Sequence, residues 1–314
     1  MRSTFASAAS VVSLAALASA QLDKPVIDPE FPEGALDQGL LDNLPTPEYE
    51  LKFWDNGFIP ADCKSLAEGA EYNAADVETF EILYADCPND PWVFCRHKDA
   101  PNSEDQIAEL FGKMPVRMRS FVRHMFFTPL QNSAGSSGDN VQMNGDLPIT
   151  VYVHETAHSL DGHAFDEPMS PSQLWLDAFN ADSAVTDSYG QSSQGENFAQ
   201  QTVVALFDTV VPDGISTIQP SWESIQNQFH AIIDNIGDVI NPDGECKERL
   251  ENSEPVEVSS SARLRPSQSA KPSVALSSGV SKIKAIPMGE TIEMTSFDKA
   301  GKPQGRKTVN LRKY

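Results

Sequence analysis

The chain has 314 residues, with 45 acidic against 23 basic side chains and a formal net charge of −22. A negative surplus of that size argues against nucleic acid or an anionic membrane as partner, because both carry the same sign. Beyond the first residues no apolar run is long enough to span a bilayer, and the four cysteines form an even set.

At the N-terminus, Arg2, an apolar stretch to Leu17 and the small residues Ala18-Ser19-Ala20 make the three-part pattern of a secretory signal peptide, residues 1–20. A secreted, extracellular protein is expected. Cys63, Cys87, Cys95 and Cys246 should then pair as two disulfides. The short Cys87–Cys95 loop, stiffened by Pro88 and Pro91, favours joining those two and leaving Cys63 for Cys246, although four cysteines allow three pairings. Residues 21–46 are acidic and proline-bearing and read as an extended lead-in. Residues 47–250 hold every histidine and cysteine and suit a single domain with a real core. Residues 251–314 are rich in Ser and Pro and turn basic from Arg263 to Lys313. Such a tail buries too little apolar surface to offset its ordering entropy, so disorder is expected. Its charge could hold an acidic cell-wall polymer.

Inside the domain, helices dominate the pattern. Phe80–Tyr84 is a short strand candidate. Ser103 is placed to cap a helix carrying Ile107, Leu110, Phe111 and Met114, which Pro115 interrupts before a second helical stretch from Val116 to Phe127. The Ser/Gly-rich run from Gln131 to Asn140 reads as a loop. Helices are then expected over Pro171–Phe179, Glu196–Val210 and Trp222–Ile236. The fold class expected is mainly α, with α+β as the alternative.

The segment from Leu147 to Leu160 carries His154-Glu155-Thr156-Ala157-His158. On a helix, residues four apart share one face, so two imidazoles at that spacing can converge on one zinc ion. Glu155, one residue beyond the first ligand, is set beside the ion as a general base rather than on it. The uncharged neighbours Val151, Tyr152, Val153 and Leu160 suit a buried helix. His97, beside Cys95 and Arg96, reads as a structural histidine, and His124 and His230 lie in helical stretches without a partner at ligand spacing.

A catalytic zinc takes three protein ligands, and three residues compete for the third place. His163 follows His158 by five residues, one short of the six in the long metzincin pattern. Asp187 resembles the aspartate ligand of fungal deuterolysin-type proteases, although that family's aspartate stands three before a tyrosine, where this chain has Thr186. Glu196, in Glu196-Asn197-Phe198-Ala199 at a helix start, resembles the downstream glutamate of gluzincin metallopeptidases, and looks most like their lethal-factor-type branch. That branch also keeps a tyrosine seven residues earlier, where this chain has Tyr189. The resemblance implies a zincin-like fold, Zn²⁺ on His154, His158 and Glu196, Glu155 as base, Tyr189 as oxyanion partner, and hydrolysis of a peptide or protein substrate. Through Asp90-Pro91-Trp92-Val93-Phe94-Cys95-Arg96-His97, with the two segments above, the chain is also similar to the secreted conidiation-specific proteins of filamentous fungi. That similarity implies expression during spore formation and leaves open a non-catalytic zinc-binding protein.

Overall fold

The computed structural model describes residues 21–130, 132–247, 249–258, 291–297 and 303–310, so the expected signal peptide lies outside the described residues. In chain order the elements are α1 (Ala35–Asn43), β1 (Tyr49–Phe53), β2 (Phe58–Pro60), α2 (Ala61–Gly69), β3 (Val77–Tyr84), β4 (Trp92–His97), α3 (Glu104–Lys113), α4 (Val116–Arg119), β5 (His124–Thr128), β6 (Ser133–Ser137), β7 (Asn140–Asn144), α5 (Ile149–His163), α6 (Gln173–Ala181), α7 (Gln194–Val210), α8 (Gln226–Ile240), β8 (Pro255–Glu257), β9 (Thr291–Phe297) and β10 (Pro303–Asn310). The last three strands fall in the stretch that composition assigned to a disordered tail.

Eight strands form one mixed sheet in the order β1-β3-β4-β5-β7-β6-β9-β10, and β2 pairs with β8 in a small second sheet. Strand β5 runs parallel to both β4 and β7, while β3–β4 and β6–β7 are antiparallel. The expectation of a mainly helical, zincin-like domain is therefore corrected: the fold is α+β.

Side-chain alternation along the strands shows why the sheet sits where it does. Phe80, Ile82, Tyr84, Trp92, Phe94, Met125, Phe127, Val141 and Met143 join one large core with the helices, whereas Cys95 and Phe126, from intervening positions, join a smaller core with Cys63 and Leu66 of α2. Successive strand residues point to opposite faces, so a strand covered on both faces is apolar throughout. That accounts for the misread at Val116–Phe127, where only α4 is helical and His124–Thr128 is a central strand with all five residues buried. The apolar run Met125-Phe126-Phe127 is too short to tell a helix from a strand by its pattern. The expected loop over Gln131–Asn140 likewise contains β6 and the start of β7. Their pairing, Ser133 opposite Asn144 to Ser137 opposite Asn140, is a backbone matter that small polar side chains do not announce. Ser103 does cap α3 as expected, its Oγ accepting from Gln106 N at 3.2 Å while Gln106 Oε1 accepts from Ser103 N at 2.9 Å.

The disulfides join Cys63 to Cys95 and Cys87 to Cys246, with Cα separations of 6.3 and 5.3 Å, which corrects the pairing expected from loop length. Register is the reason. Cys95 lies opposite Thr79, whereas Cys87 follows the far end of β3. At about 3.3 Å per residue the two are too far apart for the Cα separation of under about 7 Å that a disulfide needs. Among the described residues no helix is long and apolar enough to cross a membrane.

Residues 249–258 are stitched back onto the sheet, and His124 is part of the seam. Its Nδ1 donates to Val93 O at 3.0 Å, and Ser253 N–H donates to its Nε2 at 3.0 Å, so the ring is neutral and buried. Burial, with the Arg249 and Arg123 charges adding to it against the Val93 hydrogen bond, pushes its pKa down to about 3. Unfolding frees the ring to take a proton that the folded chain refuses. Folding stability should therefore fall as pH drops from about 6.5 toward 3, by up to about 1.4 kcal/mol per pH unit from this group. Denaturant titrations of wild type and His124→Gln over that range check it. An equal pH slope in both proteins would remove His124 from the acid response.

Candidate metal centre

Helix α5 begins at Pro148 without a side-chain cap of its own, and α1 supplies one: Thr150 N–H donates to Asp37 Oδ1 at 3.0 Å. A carboxylate there also faces the positive end of the helix dipole. Burial raises the Asp37 carboxyl pKa against the lowering effect of that bond. Tyr152 turns α5 toward the sheet, with its ring 6.2 Å from that of Phe127. His154 and His158 share the face toward α7, their ring centroids 5.0 Å apart and nearly perpendicular.

Helix α7 starts at Ser193, whose Oγ accepts from Glu196 N at 3.2 Å, and α6 steadies the same end through Trp175 Nε1–H donating to Gln194 Oε1 at 2.7 Å. This brings Glu196 Oε2 to 3.1 Å from His154 Nε2 and 3.5 Å from His158 Nε2. One donor atom from each of the three residues lies within 4.8 Å of the other two, the one such grouping of histidine and acidic side chains among the described residues. His154 and Glu196 are about 2% exposed at the side chain and His158 is 22% exposed, so the cluster opens to solvent on the His158 side. Burial alone would raise the Glu196 pKa, but His158 and His154 outweigh it and hold the carboxyl well below its ordinary range. The converse holds for His158: burial opposes its charge, yet Glu196 foremost, then Glu155 and Asp161, push it up to about 9.

The other residues expected at the site are distributed around this cluster. Glu155 is buried, and its charge reaches His158. The Tyr189 ring lies 5.5 Å from the His154 ring. His163 stands outside the cluster, because five residues on from His158 is about 140° round the helix. Its charged neighbours are Asp139 and Arg123. Asp187 is also outside. It accepts from Tyr189 N at 2.9 Å and Gly190 N at 2.7 Å, and from Gln200 Nε2. Gln200 Oε1 in turn lies 3.0 Å from His154 Nδ1. Sequence reading passed over Gln200; its one signal is that it stands four residues after Glu196, on the same face of α7.

The loop carrying Asp187 and Tyr189 is braced by the residues that precede α1. Leu22 N and Ile27 N donate to Gln191 O and Val185 O, and Gln191 Nε2 donates to Lys24 O, at 2.7–2.9 Å.

Fold and site together define an α+β protein with a buried cluster of two histidines and one glutamate between two helices. The chain belongs to the conidiation-specific protein Con-13 family, which matches residues 34–262. It is similar to Conidiation-specific protein 13 of Neurospora crassa, at 34% identity over 181 residues, covering 55% of this chain and 53% of that protein. The chain thus matches about half the length of that relative. No solved structure matches the chain. The resemblance to conidiation-specific proteins therefore holds, whereas the zincin-like identity gains no support from these comparisons, and the sheet-based fold is not the mainly helical one expected with it.

Proposed function

We propose that this protein is a secreted, conidiation-associated protein that binds one zinc ion at His154, His158 and Glu196. The observation that carries the reading is the approach of three donor atoms to within 4.8 Å of one another from two separate helices. Two imidazole nitrogens and one carboxylate oxygen are a donor set that suits zinc. The electrostatics suit it as well. A buried carboxylate held in its charged form by two imidazoles, one of which it raises in turn, is a place that favours positive charge, and a divalent cation supplies it without a proton. Secretion is supported by the signal-peptide pattern and by two disulfides, which persist in oxidising compartments.

Glu155 favours a second reading of the same site. When bound, zinc supplies Lewis-acid polarisation of a carbonyl or water. Beside it, Glu155 would take up a proton, Tyr189 would donate a hydrogen bond to a developing negative charge, and the open side at His158 would admit a peptide. One set of measurements separates the readings. Metal analysis of the purified protein should find about one zinc per chain in wild type and in Glu155→Gln. Cleavage of a peptide library by wild type but not by Glu155→Gln would establish the hydrolytic reading. Zinc with no cleavage leaves the binding protein, and chain free of zinc after incubation with excess metal overturns both.

A further inference from the structure

We infer that Gln200 and Asp187 are positioning residues that set the tautomer of His154 and so present its Nε2 lone pair to the metal. The inference rests on the metal-binding reading above and concerns residues outside the cluster itself. It follows from the direction of a hydrogen-bonded chain. Asp187 Oδ1 accepts two backbone N–H groups, from Tyr189 at 2.9 Å and Gly190 at 2.7 Å, while Oδ2 meets Gln200 Nε2. A carboxylate oxygen accepts, so the amide of Gln200 must turn its NH₂ toward Asp187 and its carbonyl oxygen toward His154. The His154 nitrogen facing that oxygen at 3.0 Å, Nδ1, must then carry the proton. Nε2, on the other side of the ring and 3.1 Å from Glu196 Oε2, is then the nitrogen left to bind a metal ion, whose coordination by both groups replaces the hydrogen bond between them. At Gly190, whose N–H serves Asp187, a Cβ would meet Thr186 Oγ1 at 2.9 Å. The three side chains come from separate parts of the fold: His154 from α5, Gln200 from α7 and Asp187 from the loop between α6 and α7.

The direction of the chain makes it testable by reversal. In Asp187→Asn, the new NH₂ group faces Gln200 and draws the Gln200 oxygen toward itself. The Gln200 NH₂ then faces Nδ1, which forces the proton onto Nε2, where it blocks the metal. Zinc affinity, measured by competition with a chromophoric chelator, should fall about 10- to 100-fold, the range for losing an outer partner of a metal ligand. Adding Gln200→Glu to Asp187→Asn restores an acceptor for Nδ1–H and a donor for residue 200, and should recover most of the loss. A merely structural role would not predict that recovery, and thermal unfolding of the metal-free proteins separates folding defects from it. Unchanged affinity in Asp187→Asn, or a double variant no better than the single, would overturn the inference. Should the variants not fold, nitrogen-15 spectra of zinc-loaded wild type decide: the proton on His154 Nδ1 supports the inference and the proton on Nε2 overturns it. Wild type without zinc affinity would instead remove the metal reading on which it rests.

Discussion

Replacing His154 with alanine is expected to weaken zinc binding by more than about a hundredfold, beyond the range reached by altering an outer partner. The geometry explains the size of the effect. His154 Nε2 is the donor nearest to Glu196 Oε2, at 3.1 Å, and is itself almost wholly buried, so water gains little access to fill its place. The remaining pair, His158 and Glu196, still attract one another, but two donors hold a zinc ion far less well than three. The effect is best read through stability. A ligand that binds only the folded chain at a hundred times its dissociation constant adds about 2.7 kcal/mol. Wild type should therefore melt several degrees higher with excess zinc than with chelator, while His154→Ala should melt at one temperature in both. A zinc-dependent shift of equal size in the variant would sink the assignment.

Asp139→Ala should produce the largest loss of stability away from the His154–His158–Glu196 cluster, about 3 kcal/mol. Asp139 is fully buried and binds the Arg123 guanidinium at two points, Oδ1 to Nε and Oδ2 to Nη2, each 3.0 Å. Removing one partner of such a pair strands the other charge, at a cost of about 3–5 kcal/mol. The lower end is expected because Asp62 Oδ2 stays 3.5 Å from Arg123 and Glu251 O keeps its bond to Nη1. The loss should be felt at the cluster too. Asp139 sits in the β6–β7 turn beside Gly138, whose carbonyl accepts from Ser159 Oγ of α5 at 3.2 Å. Denaturant unfolding measures the change, and a loss below about 1 kcal/mol would show that the pair contributes little.

Much of the centre could be read in the sequence because its logic is local. His154 and His158 are neighbours on any helix, and the uncharged residues around them mark that helix as buried. Glu196 stands at the start of a helical pattern, whereas the cap at Ser193 and the contact of Gln200 with His154 emerge only from the structure. The strand β5 was illegible for the opposite reason: burial on both sides erases alternation, and His124 in its first position signals nothing until Val93 and Ser253 close on it. Strands β6 and β7 were hidden because pairing is made by backbone groups that every residue carries.

By itself the sequence determined that His154 and His158 share one face of a helix, the cap of α3 and the capacity for two disulfides, since each depends on spacing along one helix or on composition, while it left Glu196, His163 and Asp187 in competition beside the histidines. Tertiary structure alone decided that the domain is built on a sheet, that Cys63 meets Cys95, that His163 faces away, and that Asp187 stands behind His154 through Gln200. Those outcomes depend on strand register and on the packing of α5 against α7. Such pairings are set by contacts between residues far apart in the chain, and no periodicity within one segment encodes them.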